Sequence, residues 1–351
     1  MLKHWYGAFL RFGLLLSIVF SGDGSWHFRP LGMAVEGQKN SAVATNEVSF
    51  LRFSFQRSLK EHLADPQQSA RLREQYQRLF QRDRGVPYLP KCLLKRKGPL
   101  PRVELDYEAH GVAAAEDYKV ANAKKALAGK AMLLLESDFP VRGFSAQQIR
   151  LHRSGLRQTV AKLGVPVSES ELGDSIAGID HPMLRATGIF RDGAAFTDQQ
   201  LRLEVSRNSA LNEVDLPPEL NGKIGAGSNL ESRFFKKYPQ MKSVSLIDQY
   251  DLRDEFMSVQ ILDKICAAAD RGIPVVHVAI GAYHVDGIAE RLKASASRSG
   301  SMLEVFEKNA MQSSEAAIPY RGVPTLTDVI SFDGKLGKSS DKQGDGGRTQ
   351  K

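Results

Sequence analysis

Apolar positions beyond residue 101 fall into short runs that alternate with stretches of helical spacing. "RVELDYEAHG" predicts a short strand, "AAAEDYKVANAKKALAG" a helix ending at Gly129, and "KAMLLLESDFP" a buried apolar strand that ends on a carboxylate. This order is a βαβ unit, for which we expect parallel pairing of the two strands and a right-handed crossover.

The pattern continues toward the carboxyl terminus. Residues 145–163 and 197–210 have helical spacing, and residues 176–179 form a possible short strand before "DHP". "QYDLRDEFMSVQILDKICAAADRG" predicts a strong amphipathic helix, followed by an apolar strand over 275–280 and a helix that begins near Gly287. We therefore expect an α/β fold with a mostly parallel central sheet flanked by helices.

The segment before residue 101 has a different character. It contains helical spacing interrupted at Pro66, and then a connector rich in proline and lysine, "GVPYLPKCLLKRKGPLP". We interpret this part as a basic helical preface to the core. Its candidate buried positions are Leu59, Leu63, Leu72, Tyr76, Leu79 and Phe80.

The amino terminus resembles a secretory signal peptide. Lys3 and Arg11 precede an apolar run over residues 12–20, which ends in small residues at 21–24. The alternatives are a short uncleaved anchor or a buried helix. The predicted organisation is a cleaved signal peptide over 1–24, the preface and connector over 25–100, the α/β core over 101–334 and a disordered tail over 335–351. We expect an exported protein, periplasmic or secreted.

Composition narrows the function classes only slightly. The 351 residues are 42% hydrophobic and carry a formal net charge of +8, much of it before residue 100 and in the tail. This distribution does not indicate nucleic-acid binding. Cys92 and Cys266 have no metal-site spacing, and either a disulfide or two free buried thiols is compatible with the sequence.

Three predicted strands end on polar residues. The first ends on Glu108 and His110, the second on Glu136 and the last on His284. Because the carboxyl ends of parallel strands meet at one edge of a sheet, these side chains are expected to share a pocket. There, His110, Glu136 and His284 could bind a divalent metal that activates water, or a histidine could act as general base without metal. Each residue alone could equally be a helix cap or a loop residue.

Several other polar residues are weaker candidates. Arg253 near the start of the strong helix could clamp a substrate anion, pair with Glu136, or simply lie in solvent beside Asp254. Asp180 and His181 in "GIDHP" are marginal members of the site. His277 lies inside its strand and is expected to be a hydrogen-bonded core histidine.

In their order, "YEAHG", "LLLES", "LRDEFM" and "VVHVAIGAYHVDGIAERL" resemble the motifs of the TraB/PrgY/GumN family, which is similar to the ChaN-like and erythromycin-esterase-like proteins. The resemblance covers roughly residues 102–292. It implies that five residues line the functional pocket: Glu108, His110, Glu136, Arg253 and His284. Tyr107 is a departure, since the family usually has glycine there.

Together, these observations predict an exported hydrolase that acts on a small molecule or peptide. The resemblance admits a metal ion such as zinc, manganese or cobalt, or a histidine base without metal, with Arg253 stabilising negative charge. The alternative is a haem-binding or small-ligand-binding protein of the ChaN-like type, in which Tyr107 and Tyr283 would be further ligand contacts. A non-catalytic relative that acts through its basic preface is a third possibility.

Overall fold

A computed structural model gives the fold. It describes residues 64–80, 90–95, 98–108, 113–139, 174–191, 208–212, 228–312 and 316–322, residues 62 and 214, and the backbone of 18–20 and 26–28. Strands β1 (Ile18–Phe20) and β2 (Trp26–Phe28) pair antiparallel. The predicted helix over 145–163, most of that over 197–210, the tail and His110 lie outside the described residues. None of the helices in the described part combines the length and the hydropathy that crossing a bilayer requires.

A six-stranded sheet forms the centre of the described structure. Its strands are β3 (Arg102–Glu108), β4 (Met132–Asp138), β5 (Ile176–Asp180), β6 (Val275–Gly281), β7 (Val305–Asn309) and β8 (Ile318–Pro319). They lie in the order β5-β4-β6-β3-β7-β8, and every neighbouring pair is parallel except β7 with β8. The predicted α/β fold with a mostly parallel sheet is confirmed.

The pairing predicted for the first two core strands is wrong. Strands β3 and β4 run parallel, but β6 lies between them and pairs with both. Six of the seven residues of β6 are buried, as expected for a strand covered on both faces. A strand that is apolar on both faces is best buried at the centre of the sheet. The sequence around β3 and β4 does not indicate that a strand from much later in the chain lies between them.

The helices are α1 (Pro66–Phe80), α2 (Lys91–Lys95), α3 (Ala113–Leu127), α4 (Pro182–Arg191), α5 (Ser209–Asn212), α6 (Ser228–Lys237), α7 (Leu246–Asp270) and α8 (Val285–Ser299), with 3-10 turns at Pro239–Met241 and Ala282–His284. The predicted amphipathic helix is α7, which begins with a capping box between Ser245 and Asp248. The predicted interruption at Pro66 is present: residues 62 and 64 are helical, residue 65 is not, and Pro66 begins α1, where its missing N–H is tolerated.

The two faces of the sheet pack differently. Alternate residues of β3, β4 and β6, such as Leu105, Leu134 and Val278, pack with α7 and α8 into the main core. The other residues of these strands face α3, where Leu135 and Ala123 belong to a smaller cluster. Because alternate side chains of a strand point to opposite faces, the parity of a polar residue on β3, β4 or β6 indicates the face on which it lies.

The helical preface packs against the core. Leu72 and Tyr76 of α1 are buried in a cluster with Leu184, Phe234 and Leu252. Leu72 and Tyr76 are thus among the buried positions predicted from the spacing. Beside them, the imidazole of His62 and the guanidinium of Arg71 contact the carboxylate of Asp248 at the start of α7.

A disulfide joins the connector to the core. Cys92 in α2 pairs with Cys266 in α7, with the two Cα atoms 6.0 Å apart. Of the two states that the sequence leaves open, the structure has the pair. The bond links residues 174 positions apart, so it closes a large loop of the chain.

Candidate functional site

Glu136, Asp180 and Arg253 form an ion-pair cluster at the carboxyl edge of the sheet. Glu136 lies near the end of β4 and Asp180 ends β5, while α7 crosses this face and brings Arg253 between them. The guanidinium Nη2 lies 2.5 Å from Glu136 Oε1 and 2.6 Å from Asp180 Oδ2, and Nε donates to Asp180 Oδ1 at 3.1 Å. Of the three sequence-based readings of Arg253, the structure therefore shows the pairing with Glu136.

His284 lies beside this cluster and forms a buried hydrogen-bonded pair with Asp254. It ends the short 3-10 turn after β6, and its Nδ1 lies 2.5 Å from Asp254 Oδ1. Its other ring nitrogen, Nε2, faces Glu136 Oε1 at 3.6 Å. The side chains of His284 and Asp254 are 2% and 0% exposed, so both are almost fully desolvated. Burial raises the pKa of the Asp254 carboxyl, and the neighbouring His284 and Arg291 oppose this effect.

Glu136 is held from two sides. Its Oε1 accepts from Arg253, and its Oε2 accepts from the backbone N–H of Gly281 at 2.6 Å. Gly281 is the last residue of β6, which pairs with β4. The carboxylate is therefore fixed to the strand that carries His284 just beyond its end.

Gly287 makes room for the Asp254 carboxylate. A Cβ at position 287 would overlap Asp254 Oδ2 and would stand 2.7 Å from its Cγ. Only glycine lets the first turn of α8 approach α7 this closely. Gly287 is thus required because Asp254, the hydrogen-bond partner of His284, occupies the space that a side chain at position 287 would need.

Two tyrosines border His284. The ring centroid of Tyr250 is 5.1 Å from that of His284 and 5.8 Å from that of Tyr283, and the Arg253 guanidinium lies 5.7 Å from the Tyr250 centroid. Tyr283, predicted as a ligand contact in the haem- or small-ligand-binding alternative, is half-buried, and its ring packs against that of Tyr250 beside His284.

His181 is placed as a structural residue. Its Nδ1 accepts from the backbone N–H of Leu184 at 3.4 Å, at the start of α4, and its ring packs edge-on against Phe256 with centroids 5.0 Å apart. Burial lowers the pKa of His181 to about 4 despite the adjacent Asp180, so the imidazole is neutral at pH 7. Of the marginal pair, Asp180 joins the cluster with Arg253, while His181 caps a helix.

Glu108 does not join this cluster. It has the parity that faces α3, and its Oε1 accepts from Lys119 of α3 at 2.8 Å, on the opposite side of the sheet from Glu136. Tyr107 has the other parity and packs, partly buried, against the main core. His110 lies outside the described residues. The structure thus brings together Glu136, Arg253 and His284, but not Glu108.

Asp138 extends the polar edge beyond the predicted set. It lies two residues after Glu136, and its Oδ2 accepts from the backbone N–H and the hydroxyl of Ser209, at 2.6 and 2.7 Å. Arg185 lies 3.6 Å from its other oxygen. Burial raises the pKa of Asp138 to about 6, more than Arg185 and Ser209 lower it.

A third polar group lies on the α3 face. Glu104, Asp106 and His277 are all buried, and one ligand-type atom from each lies within 4.8 Å of the others. These residues could hold a metal ion. His277 was expected to be a hydrogen-bonded core histidine, and its Nδ1 is indeed 3.0 Å from Asp106 Oδ2.

Sequence reasoning missed Asp254, Asp138 and the group on the α3 face. A signal for Asp254 was present, because it directly follows Arg253 and a glycine, Gly287, stands three residues after His284. Comparisons of the chain with protein-family models, with curated proteins and with solved structures found no match.

Proposed function

We propose that the protein is a hydrolase in which His284 activates water at the carboxyl edge of the sheet. The observation that carries the proposal is the orientation of this imidazole between two carboxylates. Its Nδ1 is 2.5 Å from Asp254, and its Nε2 faces Glu136 at 3.6 Å. A carboxylate at Nδ1 keeps the proton on that nitrogen and leaves the lone pair of Nε2 free to accept a proton from water.

Asp254 and Arg253 serve as positioning residues in this proposal. Asp254 orients the imidazole and would stabilise the imidazolium formed when water is deprotonated. Arg253 uses Nε and Nη2 to hold Asp180 and Glu136, which favours a role in fixing Glu136 over direct contact with substrate. Arg253 and Asp254 are adjacent in sequence. Arg253 holds the Glu136 carboxylate and Asp254 holds the His284 imidazole, and these two groups face each other.

A divalent metal could also bind between His284 Nε2 and Glu136 Oε1. Ligands of one zinc ion at bond lengths of about 2.1 Å stand roughly 3.4 Å apart in tetrahedral geometry, close to the 3.6 Å between His284 Nε2 and Glu136 Oε1. His110 is the third ligand predicted from the sequence. Zinc, manganese or cobalt held there would lower the pKa of a bound water.

The disulfide supports the predicted export. Disulfides persist in oxidising compartments such as the periplasm and the extracellular space, and Cys92 pairs with Cys266. Together with the signal-peptide pattern over residues 1–24, the bond supports a periplasmic or secreted protein. A substrate with an ester or peptide bond fits both this location and the resemblance to the TraB/PrgY/GumN group.

The test is hydrolysis of short-chain p-nitrophenyl esters and fluorogenic peptides by the purified protein, with and without added zinc, manganese or cobalt. A histidine general base contributes typically 10²- to 10⁴-fold, so His284→Gln should lower kcat/KM by about that factor. His62→Gln is the matched control: His62 also pairs with an aspartate of α7, Asp248 at 3.0 Å, but it does not contact Glu136 or Asp254.

Two results would contradict the proposal. One is full activity in His284→Gln, and the other is no hydrolysis of either panel under any metal condition. Activity that survives a chelator would remove the metal version and leave the histidine base. Haem binding stays a prediction, and a Soret band that is lost in Tyr283→Phe or His284→Gln would support it.

A further inference from the structure

A second polar cluster lies on the face of the sheet opposite His284. Glu104 and Asp106 are two residues apart on β3, so both point toward α3, and His277 on β6 is the register partner of Glu104. Backbone hydrogen bonding of two parallel strands therefore fixes the three side chains relative to each other. None of them takes part in the site proposed above.

The distances match those between ligands of a single small cation. His277 Nδ1 lies 3.0 Å from Asp106 Oδ2 and 3.4 Å from Glu104 Oε2. Around an ion with ligand bonds of about 2.1 Å, neighbouring ligand atoms stand roughly 3.0 Å apart in octahedral geometry and roughly 3.4 Å apart in tetrahedral geometry. One imidazole and two carboxylates are also a donor set that zinc and manganese accept.

Burial makes a bound cation favourable here. Glu104, Asp106 and His277 are 5%, 0% and 6% exposed, so two carboxylates are packed side by side with little water. The charged groups around them are Arg102, which contacts Glu104 from a 43% exposed position, and Lys308, which lies over the Tyr118 ring at 4.7 Å. A divalent ion at the centre would neutralise both carboxylates directly.

Tyr118 of α3 supplies the outer contact that metal-binding carboxylates usually have. Its hydroxyl donates to Asp106 Oδ1 at 3.0 Å and leaves Oδ2 directed toward His277. Such hydrogen bonds fix a ligand's orientation, and losing one typically weakens metal affinity by 10- to 100-fold. The helix that covers this face thus holds the carboxylate in the orientation that a metal needs.

We propose that Glu104, Asp106 and His277 form a structural site for a divalent transition-metal ion, with zinc as the preferred ion. The ion joins β3 to β6 on the α3 face and is separate from any metal at His284. The competing explanation is an ion-pair network of Glu104, Asp106, Arg102 and a protonated His277 that binds no metal.

The experiment is titration of the chelator-stripped full-length protein with Zn²⁺ by calorimetry, together with Co²⁺ titration followed by visible absorption. We expect the wild-type protein to bind a zinc ion at this site. His277→Gln and Asp106→Asn should each weaken the zinc affinity of the site at least 100-fold. His284→Gln, the matched control just beyond the end of β6, should leave it unchanged. Zinc should also raise the Tm of the wild-type protein and of His284→Gln.

Tyr118→Phe keeps all three ligands and tests the site even where a ligand variant fails to fold. It should weaken zinc binding about 10- to 100-fold and alter the Co²⁺ spectrum. The proposal is overturned if the wild type binds no zinc, or if binding is lost in His284→Gln but retained in His277→Gln. The second result would assign the metal to the proposed catalytic site, so failure of one proposal does not imply failure of the other.

Discussion

Replacing Gly287 with alanine tests whether close helix packing holds the His284–Asp254 pair. An alanine Cβ would overlap Asp254 Oδ2 and would approach its Cγ to 2.7 Å and its Cβ to 3.2 Å. Asp254 is fully buried, and Oδ2 has no hydrogen-bond partner among the described residues that could guide it to a new position. The carboxylate must therefore move away from α8, or the two helices must separate.

Two costs and one gain determine the size of the effect. Overpacking a core typically costs 1–3 kcal/mol, and losing a buried hydrogen bond to a charged group, here between His284 and the Asp254 carboxylate, costs about 1.5–3 kcal/mol. Alanine in place of glycine inside a helix returns up to about 1 kcal/mol. Because Asp254 can relax part of the way while staying near His284, we expect a net destabilisation of about 2–4 kcal/mol.

The assay is urea unfolding at pH 7. With a slope of about 3 kcal/mol per M, the midpoint should fall by about 1 M. Gly188→Ala is the matched control in helix α4, since the three atoms nearest to a Cβ there, the closest at 2.9 Å, all belong to the side-chain amide of Gln249. That tip can rotate, so the control should change stability by less than about 1 kcal/mol.

A double-mutant cycle isolates the clash. If Asp254 is first shortened to alanine, the atoms that obstruct position 287 are gone except for the Asp254 Cβ, and Gly287→Ala should then be nearly neutral. The coupling energy should be about 2–4 kcal/mol, as expected for residues in direct contact. An equal cost of Gly287→Ala in both backgrounds would refute the reasoning, because the obstruction would not be the carboxylate.

Three further predictions concern the same fold. Arg253→Met leaves the two carboxylates it bridges buried without a cation, so urea unfolding should show a loss of about 3–5 kcal/mol. Since burial lowers the pKa of His181 to about 4, the unfolded chain alone binds a proton between pH 6.5 and 4, and stability falls as pH drops through this window. His181→Asn keeps a capping side chain but has no group that titrates here. The stability of this variant relative to the wild type should therefore rise by up to about 3 kcal/mol between pH 7 and pH 4. A relative stability that does not change with pH would contradict a neutral His181. Reducing the disulfide, or replacing Cys92 and Cys266 with serine, should cost about 2–5 kcal/mol, and an unfolding midpoint that does not respond to reductant would show that the bond does not form.

Local pattern predicted the elements of the core well. The apolar runs gave β3, β4, β5 and β6, and the amphipathic spacing gave α7, because burial on one or both faces leaves a periodic trace in the sequence. The half-polar strand β7 was not predicted; its three central residues are only partly buried, so no apolar period marks it. The order of strands was also beyond local pattern, since β6 enters the sheet from far along the chain.

The candidate site was likewise predicted only in part from the sequence. Placing Glu136 and His284 at one edge needed only the rule that carboxyl ends of parallel strands meet, and the structure does bring these residues together. Glu108 was expected there for the same reason, but its parity on β3 turns it toward α3 and Lys119. Strand ends indicate an edge, whereas the face depends on which alternate residues the helices cover.

By itself, the sequence determined the strands β3, β4, β5 and β6, the helix α7 and the polar groups that stand at strand ends, because these properties follow from neighbours a few residues apart. The tertiary structure alone decided the partners. Asp254 with His284, Arg253 with two carboxylates, and His277 with Glu104 and Asp106 join residues that are 30 to 173 positions apart along the chain. Such contacts depend on helix crossing, strand order and glycine-sized gaps, for which a single sequence carries no local period.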